Sequence, residues 1–170
     1  ARKQGLPFQI PIPEGEFERF GAEYDALLLG ALGDPRIPDM RHGRDILLGA
    51  RTHMDLFVNL RPVRLFHERL CPLKGYARGD IDIVLYRENT EGIYVGMGGN
   101  FRKGHAEEIA ISELIATRRG TERIIRAAFE HCRRHGKRLC MASKHNAVPH
   151  AHGLWHRVYQ LVAAEYPEID

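Results

Sequence analysis

The side chains with the most chemical promise in this chain are three arginines, a tyrosine and a lysine. Arg51 is expected near the end of a helix, and Arg61 and Arg87 at the ends of two strands. A guanidinium fork in such a position pairs bidentately with a carboxylate. Three of them converging on one pocket call for a small dicarboxylic acid, because uncompensated cations repel one another and resist desolvation. Taken one at a time, an ordinary surface ion pair accounts for each. Tyr94 and Lys144 are the candidates for proton transfer: a phenol donates a proton, and an amine in a buried, cationic setting accepts one. Singly, a tyrosine is more often a packing residue and a lysine a solvated one.

The centre of this pattern is Ile81 to Tyr94, IDIVLYRENTEGIY. Ile81, Ile83, Val84 and Leu85 make a β-rich apolar run, expected as a buried strand. Arg87, Glu88, Asn89, Thr90 and Glu91 then arrive together before Gly92, with Tyr94 seven residues past Arg87 and Glu91 shaping the cleft between them. Ligands of open α/β sheets bind at the carboxyl ends of strands. A solvated turn is the alternative reading of the same residues.

The surrounding elements must position these groups. Pro7, Pro11 and Pro13 among Phe8, Ile10 and Ile12 predict an extended entry rather than a helix. Ala26 to Leu29 reads as a strand leading into the glycine-punctuated turn Gly30 to Pro35. Ile46, Leu47, Ala50 and Met54 recur at helical spacing, with Asp39 as the cap. Leu56, Val58 and Leu60 then alternate, and Pro62 ends that strand at Arg61. An antiparallel arm is expected around Glu108 to Thr117. A helix starting at Thr117 or Thr121 buries Ile124, Ile125, Ala128, Phe129 and Cys132 and closes at Gly136. Leu139 to Ala142 reads as a short buried strand, and His150 to Glu165 as a last helix stopped before Pro167.

Composition narrows the class. Of 170 residues, 44% are hydrophobic and 28% charged with mixed signs, and the net charge is +3. That suits a folded globular chain with a sizeable core. No apolar run approaches the roughly 20 residues of a membrane helix, and no signal peptide is visible, so cytoplasmic residence is expected. The basic residues are interspersed with acidic ones and leave no nucleic-acid footprint. Cys71, Cys132 and Cys140 are odd in number without C-x-x-C spacing and read as reduced, packing thiols. Among ten histidines, His150, His152 and His156 invite a metal, but no cysteine or carboxylate spacing completes a shell. Leu154 and Trp155 favour amphipathic packing there, and His131 and His135 read as a solvated helix face.

Taken together, DALLLGALGDP (Asp25 to Pro35), DLFVNLRPVRLF (Asp55 to Phe66), DIDIVLYRENTEGIYVGMGG (Asp80 to Gly99), TRRGTERIIRAAFEH (Thr117 to His131), SKHNA (Ser143 to Ala147) and LWHRVYQLVAAEYP (Leu154 to Pro167) carry a resemblance. The chain resembles the β-decarboxylating dehydrogenases of 2-hydroxy acids, the isocitrate/isopropylmalate dehydrogenase family. The resemblance implies that Arg51, Arg61 and Arg87 bind the malate carboxylates and that Tyr94 protonates the enol left by decarboxylation. It implies that Lys144 reaches across a homodimer interface to help deprotonate the hydroxyl, and that Asn146 lies near the nicotinamide. Leu47 and Leu48 match the wall around the γ-substituent. Their apolar side chains favour 3-isopropylmalate over isocitrate, with tartrate or D-malate as the alternative substrate and a non-catalytic subunit or remnant as the alternative class.

The cofactors so implied are NAD and Mg2+ or Mn2+, with the metal ligands and most of the NAD site outside this chain, which looks like the middle of a longer enzyme. The implied fold is two α/β domains sharing a sheet rather than a standard nucleotide-binding fold. Residues 1–56 would belong to the first, and residues 57–170 to the second, with its intersubunit β-arm and dimer interface. No nucleic-acid or membrane partner is expected.

Overall fold

The computed structural model describes residues 12–33 and 41–170, and the chain divides between Leu56 and Phe57 into two compact units. In the first unit the entry does not stay extended, as its prolines predict, but becomes a helix, α1 (Glu16–Glu23). The prolines end at Pro13, whose carbonyl accepts the Glu16 N–H at 3.2 Å, and Gly15 turns the chain with a φ of 78°. Past that point nothing opposes a helix. Arg19 bonds Glu16 one turn before it and Glu23 one turn after it.

The expected helix around Ile46 forms as α2 (Arg41–His53), while its cap Asp39, with Pro7, Pro11, Asp34 and Pro35, lies outside the described residues. Phe17 of α1 stacks on His53 of α2 at 5.1 Å and approaches Gly49 so closely that a Cβ there would meet the ring at 2.9 Å. The strand expected at Ala26 to Leu29 is absent, and Leu28 is fully exposed. An apolar run becomes a strand only where a neighbour satisfies its backbone groups. Among the described residues no strand pairs with it.

The second unit is mixed α/β. β1 (Val58–Arg64) pairs antiparallel with β2 (Asp82–Glu88), Asn59 opposite Arg87 and Arg61 opposite Leu85. Asn89 N–H donates to the Phe57 carbonyl at 3.0 Å and Leu65 N–H to the Ile81 carbonyl at 3.1 Å. Bonded pairs alternate in an antiparallel ladder, so the odd-numbered residues of β1 bond to β2. Pro62 is even-numbered and turns its missing N–H to the open edge. Arg61 therefore does not end the strand as expected; β1 runs through Pro62 to Arg64. β2 forms where the apolar run predicts, but it is not buried as expected: Ile83 and Leu85 are 53% and 50% exposed, because a helix covers only one face of the ladder.

That helix is α3 (Arg118–His135). Of the two candidate caps it starts at Thr117 rather than Thr121, and it stops at Gly136 as expected: Thr117 Oγ1 accepts the Gly120 N–H at 3.0 Å, and Gly136 takes the left-handed conformation with its N–H on the Cys132 carbonyl. Its stripe of Ile124, Ile125, Ala128, Phe129 and Cys132 is buried. α4 (Ala151–Ala163) supplies Val158 and Val162, and Phe129 stacks on Tyr166 at 4.9 Å to close the core. Arg126 of α3 clamps Glu165 with bonds of 2.7 and 2.8 Å. Burying one Phe129-sized side chain contributes about 2–3 kcal/mol, so this stripe dominates the unit's stability.

Leu139 to Ala142 does not form the expected buried strand. Cys140 and Ala142 are exposed, and the Leu139 N–H is satisfied by the Asp170 carbonyl at 2.9 Å instead of a ladder. A cavity of about 1040 Å³ separates this segment from β2. β3 (Gly98–Phe101) and β4 (Ile109–Ser112) make the antiparallel arm. The three cysteines are free; Cys132 is buried and Cys71 partly so, but Cys140 is exposed and packs nothing, against expectation. No helix among the described residues is long and apolar enough to cross a membrane.

Candidate active site

Strand alternation places Arg61 and Arg87 on one face of the β1–β2 ladder. Arg87 stands opposite Asn59, and Arg61, two residues along from Asn59, donates from Nε to its Oδ1 at 2.9 Å. Asn59 in turn donates to Asn89 Oδ1 at 3.1 Å. Neither arginine forms an ion pair with a carboxylate among the described residues; Arg87 instead lays its guanidinium over the Tyr94 ring at 5.3 Å. The opposite face, toward α3, is fully paired. Asp82 meets Lys137 at 3.0 Å, whose ammonium holds the Asp82 carboxyl below the usual range, and Glu88 meets Arg123 at 3.3 Å.

The turn between Arg87 and Tyr94 is built from carboxylates. Glu88, with its side chain only 6% exposed, accepts Thr90 N–H at 2.8 Å, Thr90 Oγ1–H at 2.7 Å and Glu91 N–H at 2.6 Å. Glu91 accepts the Thr117 N–H at 2.8 Å and its hydroxyl at 2.5 Å. Gly92 then takes φ 94°, ψ −147°, a region open to glycine alone, and exchanges backbone bonds with Ile115 at 2.9 and 3.3 Å. The 3-10 turn Ile93–Val95 that follows presents Tyr94, 63% exposed.

Arg87, Glu91 and Tyr94 line a cleft of about 470 Å³, together with Ser143, His152 and Trp155. Lys144 and Asn146 follow Ser143 in an exposed turn before α4, where the Lys144 N–H donates to His152 Nδ1 at 3.1 Å. Arg51, Leu47 and Leu48 lie on α2 in the unit that ends at Leu56, with Leu47 exposed and the other two half-buried. The structure thus brings Arg87 and Tyr94 together in one cleft and places Arg61 on the same strand face as Arg87.

His145 stacks on His156 at 4.3 Å, and among the described residues no three His, Cys, Asp or Glu side chains could share a metal ion. His131 is not on a solvated face, as its spacing suggests, but half-buried against Tyr86 at 5.3 Å. Burial, then the cationic side of His135, Arg134 and Lys137, holds its imidazole below the ordinary value.

Glu88, Thr90 and Arg123, with Asn59 and Asn89, are site-building residues that sequence reasoning leaves unassigned. The bonds that tie Asn59 to Asn89, and Arg123 to Glu88 and Thr90, span 30 or more residues, beyond any local pattern, although the density of polar groups after a strand is itself a signal.

Residues 7–170 match the family model described as isocitrate/isopropylmalate dehydrogenase. The 3-isopropylmalate dehydrogenase of Thermobifida fusca is 45% identical over 149 residues, 87% of this chain and 42% of that protein. That of Streptomyces griseus is 43% identical over 160 residues, 94% of this chain and 45% of that protein. Among solved structures, an isocitrate dehydrogenase from Methylococcus capsulatus superposes with a TM-score of 0.70 at 28% identity, covering 99% of this chain and 46% of the other. The chain spans less than half the length of the relatives it matches.

Proposed function

Because the chain belongs to the isocitrate/isopropylmalate dehydrogenase family, we propose that it carries the carboxylate-binding and proton-donating part of an NAD-dependent enzyme that oxidatively decarboxylates 3-isopropylmalate, a step of leucine biosynthesis. One observation carries this reading: Arg61 and Arg87 share a face without carboxylate partners among the described residues, and the phenol of Tyr94 lies against Arg87. Two unpaired guanidinium groups hold the carboxylates of a small dicarboxylic acid. Arg51 has the same role, and Leu47 and Leu48 give the γ-substituent its apolar contact. NAD, when bound beside Asn146, would supply the acceptor for the hydride from C2. Tyr94 then delivers a proton to the enol carbon left by decarboxylation, and Lys144, reaching across a homodimer interface, takes up the hydroxyl proton.

Among the described residues no set of His, Cys, Asp or Glu side chains gathers to hold the divalent cation, Mg2+ or Mn2+; in this proposal its ligands and most of the NAD site, Asn146 apart, lie outside this chain. The same proposal has residues 1–56 in the first domain, residues 57–170 in the second with β3–β4 as an intersubunit arm, and the enzyme in the cytoplasm.

The test is NADH release by the full-length protein with 3-isopropylmalate, NAD and Mg2+ or Mn2+, alongside tartrate, D-malate and isocitrate. 3-Isopropylmalate should give the highest kcat/KM, and Tyr94→Phe should lower kcat about 100-fold with substrate binding kept. A preference for tartrate or D-malate would reassign the substrate. Absence of NADH with all four from a folded protein would make the chain a non-catalytic member of its family.

A further inference from the structure

Tyr94 needs a fixed place to act as a proton donor, yet its ring is mostly exposed and it follows a glycine turn. Arg87 is held by the β1–β2 ladder, whereas Tyr94 lies past the end of β2 and inherits its position from the intervening turn. Beside the backbone pair that Gly92 makes with Ile115, two side-chain devices fix that turn. Glu88 gathers the Thr90 and Glu91 N–H groups onto one carboxylate. Glu91 then reaches to the first turn of α3, a segment 26 residues away, and bonds both the N–H and the hydroxyl of its N-cap, Thr117.

An anionic side chain there is favoured by the unsatisfied N–H groups and the positive end of the helix. The contact also has a lock. Gly120 occupies the third position of α3 and is buried, and a Cβ on it would overlap the Glu91 carboxylate. Glycine in a helix costs about 1 kcal/mol relative to alanine, and at this position an ordinary helix former would expel the carboxylate from its bonds with Thr117.

We infer that Glu91 is a positioning residue, seated on the first turn of α3 in the space that Gly120 leaves empty, and that this seat sets where Tyr94 stands. The Thr117 hydroxyl has two tasks in this arrangement, donating to Glu91 and accepting from Gly120 N–H, so the cap of α3 and the turn that aims Tyr94 form one connected network. Losing the seat leaves the turn on the Gly92–Ile115 backbone pair and the Glu88 carboxylate alone, and the loosened turn displaces the phenol, while Arg61 and Arg87 stay in their strands. A displacement on the order of 1 Å at a reacting group costs about 100-fold in rate. The kinetic consequence rests on the reaction proposed above; the seat itself does not.

The experiment is a double-substitution cycle read in two ways. In thermal unfolding of the 170-residue chain, Gly120→Ala should lower Tm by roughly 5 °C when Glu91 is present, through the steric conflict. In the Glu91→Ala background the same change should raise Tm by roughly 2 °C, because alanine is then simply the better helix former. Equal effects in both backgrounds would overturn the seat, whatever the enzyme does. In NADH assays of the full-length protein, Glu91→Ala should lower kcat by about 30- to 100-fold with KM changed less than about threefold. Glu91→Gln, which keeps an acceptor for the Thr117 N–H, should recover most of that loss. A fall in KM-dependent binding equal to that in kcat, or no recovery by glutamine, would overturn the positioning role. A wild-type protein without NADH production alongside an intact Tm reversal would overturn the reaction and leave the seat standing.

Discussion

The two faces of the β1–β2 ladder are built from alternate residues of the same two strands and are opposite in kind. Toward α3 stand Val58, Tyr86 and two acidic residues, each with a basic partner: Asp82 with Lys137, Glu88 with Arg123. On the far side stand Asn59, Arg61 and Arg87, beside the exposed apolar Ile83 and Leu85, and the arginines have no carboxylate partner among the described residues. The first face spends its charges on holding the chain together. The second leaves its two arginines open to the dicarboxylate proposed above. A charge satisfied within the protein stabilises it, whereas one left unpaired is tolerated only if solvent or a bound anion answers it.

Substitutions on either side test that division. The largest effect should come from Arg87→Ala: kcat/KM of the full-length protein should fall about 1000-fold, roughly 4 kcal/mol for a charge-assisted carboxylate contact. Tm should move by less than about 2 °C, since the side chain is exposed. A large loss of Tm would show that the far face is structural after all. Next comes Glu88→Ala on the packed side, which removes the carboxylate that faces Arg123 in a contact whose two side chains are 6% and 20% exposed. Urea titration should show a loss of about 3 kcal/mol. A loss below about 1 kcal/mol would put Glu88 among ordinary surface pairs.

The smallest effect concerns pH. Burial holds the His131 imidazole below its ordinary value, so the folded state disfavours its protonation. Above about pH 6.5 the imidazole is neutral in both states and its full contribution is present. As pH falls below that, the unfolded chain takes up the proton first and stability drops, until the folded-state value is passed and the loss levels off. Tm measured from pH 7.5 to 5 should decline in this window, and His131→Phe should flatten that part of the curve; an unchanged slope would move the titration to another group.

The sequence makes legible those features whose causes are local. Thr117 and Gly136 bracket α3 to the residue because a cap and a left-handed stop act within one turn. The polar run after Leu85 is legible as a site because its residue types arrive together, and the structure does place Arg87 and Tyr94 against each other. What local pattern misreads depends on distant neighbours. Ala26 to Leu29 and Leu139 to Ala142 have the composition of strands, but among the described residues no ladder forms beside them. Pro62 looks like a terminator until the bonding alternation shows that its nitrogen faces outward. Glu91 reads as a cleft residue and does line the cleft, but the contact that holds it, with Thr117 26 positions on, leaves no local trace.

Pro62 also gives the ladder a direction of growth. An extended peptide approaching the outer edge of β1 meets a missing donor in the middle of the row it would have to match, and pairing stalls there. The outer edge of β2 offers Asp82, Val84 and Tyr86 with every N–H in place, and a cavity of about 1040 Å³ runs alongside. One imino acid thus makes the sheet a zipper with a single working side, able to recruit a strand next to the core and closed to one arriving from solvent.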